Sequence, residues 1–190
     1  MKKTLITLII ILSSCTSQVQ KSWPEIIWTQ DSWTQIIQTQ NTCKQDLTKL
    51  QKTIIWNSMS PLLQNNNKIN LLLDYYKICN KNIQKNDIVA YDYKWNKLAL
   101  IKQIKVTDKD ILSFSGSYLI VNKQILTNSI WEKYIFTKKQ QNLISLYINE
   151  KHLQKDSFLI FGDNIYNSID SKNFGAISQK DILGKFEIIK

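Results

Sequence analysis

The sequence predicts a mostly β domain preceded by an N-terminal helical segment. Three observations carry that expectation. From residue 52 onward the chain breaks into short runs rich in Val, Ile, Tyr and Phe, bounded by Asn, Asp, Gly and Ser clusters. No strand alternates regularly with a long helical pattern, so a doubly wound βαβ sheet is not expected. Apolar residues make up 43% of the 190 residues, with four Gly and two Pro, which suffices for a core and argues against a disordered chain.

The N-terminus reads as targeting sequence. Met1-Lys2-Lys3 is a basic start and Thr4 to Leu12 is apolar. As a helix this stretch spans roughly 14 Å, about half of the ~30 Å hydrocarbon core. A signal peptide is therefore expected over residues 1–15, with a short membrane anchor as the other possibility. Leu12-Ser13-Ser14-Cys15 resembles the lipobox of bacterial lipoproteins, which would make Cys15 the lipidated residue.

Residues 16–51 are expected to form a helical stalk or interfacial segment. Pro24 and Glu25 suit a first turn. Ile26, Ile27, Trp33, Ile36, Ile37, Leu47 and Leu50 recur at roughly helical spacing. Residues 52–190 form the β-rich domain. Strands are expected at 52–56, 87–93, 98–106, 111–114, 118–121, 158–161 and 182–189, with an insertion holding some helix at 124–156.

The net charge of +10 comes from Lys alone, for the chain has no Arg. The lysines are scattered, with no basic stripe, so no nucleic-acid partner is expected; a mildly basic surface suits anionic membrane lipid. The chain has three cysteines and one histidine, His152, and no C-x-x-C, which leaves a structural zinc site without ligands; neither metal nor cofactor is expected. Cys43 and Cys79 either pair in an oxidising compartment or remain buried thiols.

Two regions suggest chemistry. Strand 98–106 puts Leu98, Leu100, Lys102, Ile104 and Val106 on one face, so Lys102 is the one charge on an aliphatic surface. Desolvation would lower its pKa. That matters for a base, because on the order of one lysine in a thousand is neutral near pH 7 at the ordinary value. By itself the face pattern favours a lysine whose stem packs on the core while the ammonium reaches water. A triad built on His152 is disfavoured, since Asn149-Glu150-Lys151-His152 looks solvated. The second region is Gly162 to Gly175, GDNIYNSIDSKNFG, a dense polar turn directly after the apolar run Phe158–Phe161.

The pattern G-D-N-x-x-N-S-x-D-S-[RK]-x-x-G resembles the C-terminal signature of type I signal peptidases, serine proteases that use a Ser–Lys dyad. Trp56-Asn57-Ser58-Met59-Ser60-Pro61 resembles the nucleophile box of that family, Lys102-Gln103 resembles its lysine strand, and Asp87-Ile88-Val89-Ala90 resembles a further strand. The resemblance runs in order over residues 54–189. It implies a signal-peptidase-like β-rich domain with Ser58 as nucleophile and Lys102 as general base. Ser168 would hydrogen-bond the lysine, and Asp170 would pair with Lys172. Gly162 would allow close backbone approach, while Asp163 and Asn164 would satisfy the turn's own backbone. Asn57, Met59 and Pro61 would flank the nucleophile. Departures are Trp56 two residues before Ser58, Leu62 after Pro61, and Lys109 where Gly commonly precedes Asp110. Trp56 removes a side-chain donor from the expected oxyanion site and leaves the Ser58 N–H as the main one. The implied activity is removal of signal peptides from exported preproteins, in the bacterial cell envelope, anchored to the membrane with the catalytic domain outside the cytoplasm. The departures keep two alternatives open: a catalytically impaired lipoprotein that binds peptides, and a narrow-specificity processing peptidase of a conjugation or secretion system.

Overall fold

The structure is a computed structural model that describes residues 43, 47–54, 57–93 and 99–189. Cys15, Trp56 and nearly all of the expected N-terminal helical segment lie outside the described residues.

The core of the fold is a seven-stranded antiparallel sheet in the order β1-β2-β12-β3-β4-β10-β11. Its strands are β1 (Lys49–Thr53), β2 (Lys68–Leu73), β3 (Ile88–Tyr91), β4 (Leu100–Val106), β10 (Ser157–Phe161), β11 (Ile177–Ser178) and β12 (Ile182–Ile188). Between β4 and β10 the chain builds a second lobe. It contains β5 (Leu112–Ser115), β6 (Tyr118–Val121) and β7 (Gln124–Ile125), then helix α2 (Lys138–Ser145) and the hairpin β8 (Ile148–Asn149) and β9 (His152–Leu153). Two four-residue helices complete the elements, α1 (Tyr75–Ile78) and α3 (Ser171–Phe174).

Local chemistry explains several of these choices. Thr137 and Gln140 form a reciprocal capping box that starts α2. Asp170 and Asn173 do the same for α3. β10 reads as a near-continuous apolar run because both of its faces are covered. Leu159, Ile160 and Phe161 have no exposure at all. One apolar cluster fills the second lobe around Tyr134, Phe136 and Phe161; two others lie against the main sheet, around Met59 and Leu63 and around Ile104 and Ile160.

The strand expectations hold in place with shifted ends, and two differences stand out. The helical pattern expected to run to residue 51 ends instead in β1, whose five residues are all exposed. As an edge strand with neither face covered, β1 has no need for alternation, so Leu47 and Leu50 mimicked helical spacing. β2 was not expected. It lies between β1 and β12, and its Leu71-Leu72-Leu73 run lacks a period-2 signal.

Two features set the position of the site. β4 is hydrogen-bonded on one side to β3, in a register that pairs Lys102 with Val89, and on the other to β10. β10 then delivers Gly162, Asp163 and Asn164 beyond its end. Away from this region, a disulfide joins Cys43 to Cys79 just after α1.

Candidate active site

Lys102 sits mid-strand in β4 and is 1% exposed. Its Nζ donates to Ser58 Oγ at 3.0 Å and to the Ile101 carbonyl at 2.8 Å. Burial pulls its pKa down from 10.5 to about 8, against an opposing pull from the Asp170 charge. In the ammonium form Lys102 donates to Ser58. Once neutral, the same contact lets the Ser58 hydroxyl donate to Nζ.

Lys105 is buried as well, on the opposite face of β4, and burial also lowers its pKa, with Asp163 opposing and Lys85 reinforcing. Both faces of β4 are covered, so desolvation alone does not single out Lys102. The contact with Ser58 does.

Ser58 lies in a short 3-10 turn, Asn57–Met59, pinned by Met59, which is buried against Leu63 and Ile69. First-turn amides of a helix lack intrahelical acceptors, which leaves the Ser58 N–H suited to receive an oxyanion. The turn is held from outside by the Gly162–Asn164 segment. Asn164 N donates to Ser58 O at 3.1 Å, and Asn164 Nδ2 donates to Asn57 O at 3.2 Å. Asp163, with no exposure, accepts from Leu62 N at 3.0 Å, from Ser129 N at 2.8 Å and from the Ser129 hydroxyl.

Gly162 passes so close that a Cβ there would run into Ser168 Oγ and the Ser58 carbonyl. Its N–H donates to Asp170 Oδ2 at 3.1 Å. The glycine expectation is thus met by a specific close approach.

Other expectations are corrected. Asp163 does not satisfy its own turn: it reaches the chain just after Pro61 and the loop at Ser129. Asn164 does both, since its Oδ1 also accepts from Tyr166 N and Asn167 N. Ser168 makes no hydrogen bond to Lys102. Its Oγ is buried without a hydrogen-bond partner, while Lys102 Nζ bonds Ser58 and the Ile101 carbonyl.

Asp170 and Lys172 do not form a side-chain ion pair. The Lys172 backbone N–H donates to Asp170 Oδ1 at 3.0 Å, while its Nζ donates to Ile165 O at 2.7 Å and lies 5.7 Å from the Tyr134 ring centre. A lysine cannot fork onto a carboxylate, and its flexible stem finds a backbone carbonyl instead. Burial raises the Asp170 pKa. The Lys172 charge and the N–H groups of Lys172 and Gly162 oppose this, with a smaller pull from the Ser168 hydroxyl, which lies nearby without hydrogen-bond geometry.

A further clamp was not expected from the sequence. Tyr134 OH donates to Gly162 O at 2.8 Å and Asn128 Nδ2 donates to Asp163 O at 3.1 Å. Only the turn-forming pair Asn128-Ser129 could have flagged it. Among the described residues, no group of three His, Cys, Asp or Glu side chains gathers to hold a metal ion.

The β-rich scaffold closed by a Gly-Asp-Asn turn is a signal-peptidase-like domain. Residues 48–190 match the family described as Signal peptidase, peptidase S26, and the chain belongs to that family. Among solved structures, the chain is similar to the signal peptidase I of Enterococcus faecalis V583, at 20% identity and a TM-score of 0.42, over 58% of this chain and 98% of that one. No curated protein matches it.

Proposed function

We propose that the protein is a membrane-associated serine endopeptidase that removes signal peptides from exported preproteins by a Ser58–Lys102 dyad. The 3.0 Å contact between Lys102 Nζ and Ser58 Oγ at a buried lysine carries this reading. With a pKa of about 8, roughly one Lys102 in ten is neutral at pH 7, on the order of a hundredfold above an ordinary lysine.

Neutral Lys102 takes the Ser58 proton as Oγ attacks the scissile carbonyl. The oxyanion is held by the Ser58 N–H. Lys102 then returns the proton to the leaving amine, which breaks the C–N bond and leaves an ester on Ser58. Water, deprotonated by Lys102, hydrolyses that ester and regenerates the hydroxyl. The substrate binds as an extended strand with small residues near the cut. The Cys43–Cys79 disulfide supports a location outside the cytoplasm, where such bonds persist. The apolar start of the chain, with Cys15 as lipidation site, supplies the membrane tether.

The test is cleavage of a preprotein by the purified protein. Ser58→Ala and Lys102→Ala should each abolish it. Retained activity in Lys102→Ala overturns the dyad. Retained affinity for signal peptides with no turnover in the wild type would point to a peptide-binding module.

A further inference from the structure

The small sheet of the second lobe packs one face inward, where Leu119, Val121, Leu126 and Tyr134 are buried. The register fixes what its other face carries. Side chains directly opposite on paired strands point the same way. Ser113 is opposite Ile120, and Ile120 is opposite Ile125. The Thr127–Lys133 bridge, continued by two residues, brings Ile135 opposite Ile125, and the Tyr134 N to Leu126 O bond keeps that register. One row of the outer face is therefore Ser113, Ile120, Ile125 and Ile135. The neighbouring row holds Tyr118, with Lys133 Nζ 5.5 Å from its ring centre.

This face is apolar and open. Ile125 and Ile135 are exposed, Ile135 at 59%. The tip beyond them exposes Ile130 and, at 82%, Trp131. Asn128 holds the tip in shape, since its Oδ1 accepts from Ile130 N and Glu132 N. The charges around the face are of one sign. Lys133 lies on it, and exposed Lys123 sits in the turn between β6 and β7. Neither row contains a carboxylate, and Glu132 beside the tip accepts from Asn128 Nδ2 at 2.8 Å.

The combination selects an occupant. Aliphatic side chains bordered by Trp and Tyr suit the boundary between water and hydrocarbon. Lysines without carboxylates suit anionic headgroups. A second copy of the chain fits less well: a two-fold contact would set Lys123 and Lys133 against their own equivalents, in a protein of net charge +10.

We propose that this outer face is a lipid contact, separate from the apolar start of the chain, that seats the second lobe on an anionic membrane surface. Ile125, Ile135 and Trp131 enter the acyl boundary while Lys123 and Lys133 stay among the headgroups. The proposal stands independently of the peptidase reading.

The experiment reconstitutes the full-length protein into vesicles of phosphatidylcholine with brominated acyl chains, with or without phosphatidylglycerol. The chain has six Trp, so the Trp131 signal is the difference between wild type and Trp131→Phe. With phosphatidylglycerol present, that signal should shift to the blue and be quenched by bromine. Ile125→Ser with Ile135→Ser should remove the quenching at an unchanged urea midpoint. Lys123→Gln with Lys133→Gln should lower the seated-to-free ratio about twenty-five-fold, at roughly fivefold for each charge. A Trp131 signal that stays unshifted and unquenched on phosphatidylglycerol vesicles overturns the proposal. So does equal quenching with and without phosphatidylglycerol. A blue shift without bromine quenching overturns it as well, because protein and not lipid then covers the indole. The wild-type quenching decides the matter even where a variant fails to fold.

Discussion

Replacing Lys102 by Met should kill activity and stabilise the fold at neutral pH. At pH 7 the folded chain holds a charge that burial disfavours. The fall in pKa from 10.5 to about 8 corresponds to roughly 3 kcal/mol, at about 1.4 kcal/mol per pH unit. Met fills similar volume without the charge. It forfeits the bonds to the Ile101 carbonyl and to Ser58, at about 1 kcal/mol each, so the net gain at pH 7 is about 1 kcal/mol. Between pH 8 and 10.5 the unfolded lysine binds more protons than the folded one, so wild-type stability rises with pH across that window. Above 10.5 lysine is neutral in both states and the advantage of Met disappears. Urea denaturation of both proteins at pH 7 and pH 11 measures this directly. A Met variant less stable than wild type at pH 7, or a difference that does not change with pH, refutes the argument that Lys102 is a desolvated charge.

The same desolvation sets the pH profile: kcat/KM on a preprotein should rise with pH and level off, with its inflection near 8, since only neutral Lys102 acts as base. Gly162→Ala should abolish activity and destabilise the fold, because its methyl must displace Ser168 or the Ser58 carbonyl; a folded, active variant by circular dichroism and turnover contradicts the close approach. Asp163→Asn keeps the shape but leaves one acceptor for three donors, so stability should fall by about 2–4 kcal/mol in urea melts and turnover by tenfold or more. Breaking the Cys43–Cys79 bridge by Cys79→Ser should cost about 3–4 kcal/mol for a loop with a sequence separation of 36, read as a lower denaturation midpoint with kcat little changed.

The β-rich class was legible from residue 52 because turn residues punctuate short apolar runs at strand spacing. The strand at Tyr118–Val121 was placed to the residue for that reason, bounded by Gly116-Ser117 and Asn122-Lys123. Edge and central strands were harder. β1 is exposed throughout and β2 carries three consecutive leucines, so neither alternates. Lys102 and Ser58 were named from motif resemblance and order; the face pattern put Lys102 on an aliphatic face but by itself favoured an ammonium reaching water, and the burial of Lys102 in the folded chain decides otherwise. The pattern failed to mark Lys105, whose burial depends on what covers the other face of β4.

By itself the sequence determined the class of fold, the order of the Ser58, Lys102 and Gly162–Gly175 elements, and the residue types needed for a hydroxyl–amine pair. The fold class follows from local rules, strand alternation and turn formers; the Ser58–Lys102 pair and the order of its elements follow from resemblance of the motifs to a known family. The tertiary structure alone decided the partners. Asp163 bonds Leu62, 101 positions away in sequence. Asn164 bonds Asn57, 107 positions away. Lys172 turns to the Ile165 carbonyl instead of Asp170, and Ser168 Oγ stays unpaired. Hydrogen bonds go to whichever donor the packed backbone brings within about 3 Å, and no local pattern in the chain encodes that distance.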